Sequence, residues 1–88
     1  MPPLSTNEAE ALALSALAAT LTDERRARRF LDLSGIGTDE LRRRAGEREL
    51  LAALLRFLEG HEPDLLHVAK AIGVSPQELV AAREELEA

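Results

Sequence analysis

A cluster of arginines offers the clearest binding chemistry in this sequence. Eight of the eleven basic residues lie between Arg25 and Arg48. Guanidinium groups at this density suit carboxylates on an acidic protein surface, or phosphates, because each group can donate paired hydrogen bonds. Among the arginines that have no acidic residue four positions earlier in the chain, four are candidates for binding a partner. These candidate partner-binding residues are Arg25, Arg26, Arg29 and Arg42.

The ordinary interpretation of the same arginines is a solvated helix surface. Three acidic residues precede an arginine by four positions, the arrangement that stabilises an exposed helix. These pairs are Glu24 and Arg28, Asp39 and Arg43, and Glu40 and Arg44. Both interpretations stay open at the level of the sequence.

A helix corner near the carboxyl end is the second candidate. In the stretch Leu65–Leu79, an alanine precedes a glycine turn and a serine then opens the next helix. This order resembles the helix-turn-helix of DNA-binding proteins, and it implies that Gln77, Val80 and Ala81 face the major groove. However, Val74–Ala88 carries one base against four acids. Because neutralising phosphates supplies most non-specific affinity, DNA binding is the alternative and a structural corner is favoured.

Metal binding and catalysis find little support in the sequence. His61 and His67 are six residues apart, and Glu62 and Asp64 between them fix no third strong ligand. No nucleophile elbow, phosphate-binding loop or histidine-glutamate metal motif is present. The Gly35–Gly37 pair is predicted to follow a helix and not a strand, so the condition for dinucleotide binding is not met. We therefore expect a protein that is not an enzyme and that uses no metal or cofactor.

Composition and charge narrow the setting. The net charge of −5 argues against a dedicated binder of nucleic acid or of anionic membranes. The absence of cysteine excludes disulfides and thiolate chemistry. No lysine or arginine precedes the first apolar run, so no secretory signal is expected. The most apolar stretch, Ala11–Leu21, is about half of the roughly 20 residues that span a bilayer. We expect a cytoplasmic protein.

The predicted elements are all helices. Leucine and alanine are abundant while valine and isoleucine are scarce, which favours helix over strand. Leucines at three- and four-residue spacing cover most of the surface of a helix over about residues 47–59, so this helix is predicted to lie at the centre of the fold. Gly60 is predicted to end it in a left-handed conformation. Residues 1–5 are predicted to be a flexible N-terminal segment. Residues 6–88 are predicted to be one all-α domain, a roughly orthogonal bundle of five to six short helices.

Caps and apolar positions define the helices around the centre. Ser5 with Glu8, and Ser75 with Glu78, match the capping box that opens a helix, and Thr22 is a predicted N-cap between them. Helical spacing also predicts which positions face inward. In the first helix these are Leu14, Leu17, Ala18 and Leu21, and in the second they are Ala27, Phe30, Leu31 and Leu33. In the fifth helix they are Leu65, Leu66, Val68, Ala69 and Ile72, and in the last they are Leu79, Val80 and Leu86.

Several short segments are distinctive in their order and spacing: Asn7–Leu12, Arg29–Leu31, Leu33–Gly35, Asp39–Arg42, Ala45–Gly46, Leu51–Leu58 and the stretch from Gly73 through the final helix. Together they resemble a small bacterial family known as domain of unknown function family 3572. The resemblance covers most of the chain and implies a compact helical protein. It implies no activity, ligand or site residues.

By elimination, the sequence favours an uncharacterised, non-catalytic protein-protein interaction or regulatory module. An acidic protein surface is the expected partner of the arginines, and neither a membrane nor nucleic acid is expected to be one. The acidic last helix is a second possible surface, with Val80 and Leu86 predicted to be partly uncovered. The helix-turn-helix DNA binder remains the alternative.

Overall fold

The computed structural model describes residues 4–88, which form six α-helices and no strand. The helices are α1 (Thr6–Leu21), α2 (Glu24–Ser34), α3 (Thr38–Arg44), α4 (Arg48–Glu59), α5 (Glu62–Ile72) and α6 (Pro76–Glu87). The predicted all-α bundle is therefore confirmed. Of the predicted flexible segment, residues 1–3 lie outside the described residues. Leu4 packs against the core and Ser5 caps α1.

Both predicted capping boxes are present. The Ser5 hydroxyl accepts a hydrogen bond from the Glu8 backbone N–H at 3.1 Å, and the Glu8 carboxylate accepts one from the Ser5 N–H at 3.0 Å. Ser75 and Glu78 repeat the same two bonds at 3.1 and 3.0 Å. Each box satisfies backbone N–H groups that a helix start leaves without partners, which fixes where α1 and α6 begin.

The predicted N-cap of the second helix is wrong by one residue. Asp23 caps α2, and its carboxylate accepts a hydrogen bond from the Arg26 backbone N–H at 2.9 Å. The Thr22 hydroxyl is already used, because it donates to the Ala19 carbonyl at 2.7 Å. Thr22 therefore ends α1 and does not start α2.

Two glycines have the left-handed conformation that ends a helix, and Gly60 is not one of them. Gly35 and Gly73 have φ angles of +72° and +76° and close α2 and α5. Gly60 has φ −75°, so the prediction of a left-handed cap is wrong there. Its N–H donates to the Arg56 carbonyl at 3.0 Å and the following His61 N–H donates to the Leu58 carbonyl at 3.1 Å. The chain passes into α5 through a right-handed turn that any residue can adopt.

The core lies mainly between α1, α4 and α6, which make the most extensive contacts with one another. The predicted central helix contributes the largest share of buried residues. These are Leu50, Leu51, Ala52, Leu54, Leu55 and Leu58. Ala52 is buried although its position in the sequence, on the narrow stripe of α4 that carries no leucine, predicts exposure to solvent. Its small side chain lets a neighbouring helix approach α4 on that side as well.

Helix α1 buries a different face from the predicted one. Leu17 is buried as predicted, whereas Leu14, Ala18 and Leu21 are exposed. The buried face consists of Ala9, Ala13, Ala16, Leu17 and Thr20. From Ala11 to Leu21 the helix is uncharged on every side, so its own pattern does not select a face, and the alanines allow the closest packing. At 16 residues α1 is the longest helix in residues 4–88, and none of the helices there is long and apolar enough to cross a bilayer.

Two other leucines predicted to face inward are exposed. Leu33 on α2 is 75% exposed and Leu66 on α5 is 47% exposed. Asp64 occupies a buried position on α5 instead. On α6, Leu86 is buried and Val80 partly buried, so the prediction that Leu86 is partly uncovered is wrong.

Candidate functional site

A groove runs along the surface between the second half of α2 and the outer face of α4. It forms where α2, which contacts α4 over only a short stretch, leaves α4 uncovered. Three depressions that share lining residues make up the groove, and the largest has a volume of about 600 Å³. The side chains shared between neighbouring depressions are Leu33, Ser34, Ala53, Arg56 and Phe57. Three apolar residues, one serine and one arginine therefore form its middle.

Phe57 lies in the floor of the groove, in contact with Phe30 and Arg29. Its ring meets the buried ring of Phe30 edge-on, with the ring centroids 5.4 Å apart and the planes inclined at 62°. The guanidinium carbon of Arg29 lies 5.5 Å from the Phe57 centroid, within cation–π range. Leu33 lines the same depressions and is the most exposed large apolar side chain of the described residues. An aromatic ring and an exposed leucine thus form one pre-organised apolar surface.

Charge is unevenly distributed about this groove. Residues 24–48, here called the basic segment, contain eight bases and five acids and carry +3. The rest of the chain contains three bases and eleven acids and carries −8. The basic segment includes the α2 wall of the groove. It also includes Arg44 and Arg48, which line the wide end together with Glu49 and Glu87.

Arg26 and Arg29 are held by a buried carboxylate on α5. The Arg26 Nε donates to Asp64 at 3.1 Å, Arg29 donates to the second carboxylate oxygen, and His61 Nδ1 lies 3.0 Å from that oxygen. The Asp64 side chain is only 7% exposed. Burial would raise the pKa of Asp64, but the hydrogen bonds from Arg26, Arg29 and His61 outweigh it and hold the pKa below its usual value. This cluster fixes the position of α2 against α5.

The four arginines predicted to bind a partner are therefore in different surroundings. Arg26 is 12% exposed and committed to Asp64, and Arg29 is shared between Asp64 and the groove floor. Arg25 is exposed and has no ion pair within residues 4–88. Arg42 is exposed and 4.0 Å from Asp39. Only Arg29 lines the groove.

Among the helix-surface pairs predicted from the sequence, Glu40 and Arg44 are joined, at 3.1 Å. Within residues 4–88 no ion pair joins Glu24 to Arg28 or Asp39 to Arg43. Arg44 also donates to Glu47 at 2.8 Å. Arg44 is thus neutralised on both sides, whereas its neighbour Arg43 is left for solvent.

The predicted DNA-reading residues lie on a helix that is largely covered. Helix α6 packs against both α1 and α4, and Val80 and Ala81 are partly buried. Gln77 is exposed in the first turn, and Glu84 is exposed further along. A helix that reads DNA has to enter the major groove between the phosphate backbones. The exposed carboxylate of Glu84 would be repelled by those phosphates. The helix-turn-helix alternative stays a prediction without added support.

Sequence reasoning missed the residues that shape the groove. Leu33 sits three positions after the buried Phe30, so helical spacing alone places it inside. Arg56 is joined to Glu87 across the bundle, and Glu87 also accepts from Arg83 at 3.0 Å. Arg83 reaches α4 through two bonds to Glu59, at 2.8 and 3.0 Å. No local signal marks the Arg56–Glu87 and Arg83–Glu59 pairs, because their members come from different helices.

Metal ligands are not grouped in the described part of the chain. No set of three or more histidine, aspartate, glutamate or cysteine side chains in residues 4–88 is arranged to hold an ion. Asp64, the best-placed carboxylate near the two histidines, already accepts hydrogen bonds from two arginines.

The described residues form a small all-α domain with a groove of apolar side chains and arginines between α2 and α4. Residues 6–88 match the family described as protein of unknown function (DUF3572), so the chain belongs to that family and the resemblance drawn from the sequence is confirmed. No curated protein and no solved structure matches the chain. The description of the family names no activity.

Proposed function

We propose that this domain is a non-catalytic protein-protein interaction module and that the groove between α2 and α4 is its binding surface. The observation that carries the proposal is Leu33, 75% exposed beside the fixed ring of Phe57. Burying a leucine side chain contributes roughly 1.5 to 3 kcal/mol, so covering this surface would favour association. An apolar surface with polar groups at its edges is typical of an interaction site.

The composition of the groove supports binding over catalysis. Its lining is made mainly of leucine, isoleucine, alanine, phenylalanine and arginine side chains. Ser34 and His61 line different depressions, so the groove does not bring a hydroxyl nucleophile together with an imidazole base. The net charge of the basic segment supports an acidic partner. The absence of cysteine supports the cytoplasm as the setting.

The test is comparative capture with two matched variants. Leu33→Gln removes the apolar group from the groove, and Leu14→Gln does the same on the outer face of α1, where the leucine is 46% exposed. Tagged wild type and both variants are incubated with nuclease-treated lysate, and the bound proteins are quantified by mass spectrometry. We expect a protein that wild type and Leu14→Gln retain and that Leu33→Gln loses.

Two results would contradict the proposal. Retention of every bound protein by Leu33→Gln would show that the groove is not the binding surface. Loss by Leu14→Gln alone would transfer binding to α1. Circular dichroism of both variants checks that each remains folded.

A further inference from the structure

We infer that the groove binds an amphipathic helix of a partner protein, one that carries acidic residues beside its apolar side chains. The inference rests on the proposed function, because it names the partner of the same groove. Two properties of the groove carry it: its direction along α4 and the placement of arginines at its edges.

The groove follows the axis of α4. Residues from Arg48 near the start of α4 to Gly60 just after its end line the groove, and four of them lie at spacings of four, three and four: Glu49, Ala53, Arg56 and Gly60. These eleven residue steps correspond to about 16 Å, or three helical turns. A partner helix of three to four turns, with apolar side chains at i, i+4 and i+7, matches this length and can set them against Leu33, Ala53 and Phe57.

A helix fits this groove better than an extended peptide does. Extended peptides commonly bind by adding a strand to a sheet edge, through backbone hydrogen bonds, or by lying as polyproline helices in grooves lined by several aromatic rings. Of the two aromatic rings in this chain, Phe30 is buried and only Phe57 is partly exposed. Here both walls are helices, whose backbone groups bond within each helix except at its ends. The lining therefore offers apolar contacts and guanidinium groups but no row of free backbone groups. A helical ligand makes its backbone hydrogen bonds internally, so it needs none from the groove and binds there more favourably than an extended peptide.

The arginines at the edges favour acidic residues on the partner. Arg29 lies at the Gly60 end, Arg56 in the middle and Arg48 at the wide end. Arg48 is exposed and has no ion pair within residues 4–88. The groove is lined by four arginines and two glutamates, a net charge of +2, although the whole chain carries −5. An acidic helix is therefore attracted to this face of the protein.

Glu87 competes for the central arginine. Its carboxylate accepts a hydrogen bond from Arg56, which is 56% exposed and therefore accessible to another carboxylate. A partner acid would take the place of Glu87, while Glu87 keeps its bond to Arg83. Glu87→Gln should therefore strengthen the binding of an acidic helix. Glu84→Gln makes the same change in net charge on the same helix, at an exposed acid that has no ion pair in the described chain.

The test uses two synthetic amphipathic helical peptides of about four turns, each with leucines at i, i+4 and i+7. One carries glutamates beside the leucines and the other carries lysines at the same positions. Peptide is titrated into isotope-labelled protein, and amide chemical shifts give the affinity and the contact surface. A proline-substituted glutamate peptide, which cannot form a helix, is the control for conformation.

We expect the glutamate peptide to shift resonances of Leu33, Ala53 and Phe57 and to bind about tenfold more tightly than the lysine peptide. Leu33→Gln should weaken binding by about tenfold, because one apolar anchor is lost. Glu87→Gln should strengthen it by a factor of about 2 to 5, the range for an exposed ion pair, and by more than Glu84→Gln does.

Equal binding of the glutamate and lysine peptides, undiminished binding of the proline-substituted peptide, or shifts confined to α1 would each overturn the inference. So would the absence of any binding. In that case, a captured protein that still depends on Leu33 would leave the proposed function standing. A captured protein indifferent to Leu33 would remove both.

Discussion

Replacing Asp64 by Asn should destabilise the fold and loosen the α2 wall of the groove. The substitution keeps the shape of the side chain but removes the charge that Arg26 and Arg29 share. Asn retains one oxygen, which can accept from Arg26, but it turns an N–H₂ donor toward a second donor, Arg29. The wild-type arrangement therefore loses one ion pair wholly and the other in part.

The magnitude follows from the burial of each pair. The Arg26 side chain is 12% exposed, so exchanging its carboxylate acceptor for a neutral amide oxygen removes much of the roughly 1.5 to 3 kcal/mol that a charge-assisted hydrogen bond contributes. The Arg29 side chain is 43% exposed, and solvent screening limits its share to about 1 kcal/mol or less. We expect a loss of about 3 kcal/mol, which for a domain of this size lowers Tm by roughly 12 to 24 °C.

Urea unfolding of wild type and Asp64→Asn, repeated from pH 8 to pH 3, measures this loss and its origin. Because the pKa of Asp64 is depressed in the folded protein, its contribution is complete above the unfolded value of about 3.9 and is lost as pH falls through the folded value. The difference between the two proteins should be constant from pH 8 to about 5 and shrink below about pH 4.

The control is Asp39→Asn. This acid is 88% exposed, and its distance of 4.0 Å from Arg42 is too long for a strong ion pair. We expect its unfolding curve to overlay that of wild type. An Asp64→Asn curve that also overlays wild type would refute the buried cluster. A loss that does not depend on pH would show that Asp64 acts through packing and not through its charge.

Three further predictions follow from the core, the helix ends and the charge of α6. Leu54→Ala, at a fully buried position, should cost roughly 2 to 5 kcal/mol in urea unfolding, while Leu33→Ala should stay within about 0.5 kcal/mol. Gly73→Ala should destabilise by about 1 to 2 kcal/mol because φ is +76°. Gly60→Ala, with a right-handed φ and no atom closer than 3.5 Å to the added Cβ, should be neutral or slightly stabilising. A labelled DNA duplex at low salt should not bind in fluorescence anisotropy; binding that falls steeply with salt would restore the helix-turn-helix alternative.

Helix positions were predictable because the chemistry that sets them is local. The hydroxyl of Ser5 and the carboxylate of Glu8 are three residues apart, and each completes the hydrogen bonds of the other whatever the rest of the chain does. Gly35 and Gly73 likewise adopt conformations that few other residues tolerate. The central position of α4 followed from leucines on almost every side, which can be covered only by surrounding helices.

The buried faces of other helices were less predictable, because several faces were equally apolar. On α1, the pattern did not separate the buried Ala13 and Ala16 from the exposed Leu14 and Ala18. The buried face of α1 was decided by how closely α4 and α6 can pack against its alanines, which is a property of the assembled bundle. Leu33 is exposed for a related reason: its helical position faces inward, but no neighbouring helix covers it.

The sequence by itself determined an all-α chain, the starts of α1 and α6, the extent of α4 and a surplus of arginine between Arg25 and Arg48. Only the tertiary structure decided which of those arginines are used internally. Arg26 and Arg29 meet Asp64 from 38 and 35 residues away, a pairing without any local signal. The groove likewise exists only once α2 and α4 are placed. Hydrogen bonds at helix ends depend on neighbours in the chain, whereas burial and long-range ion pairs depend on which helices meet.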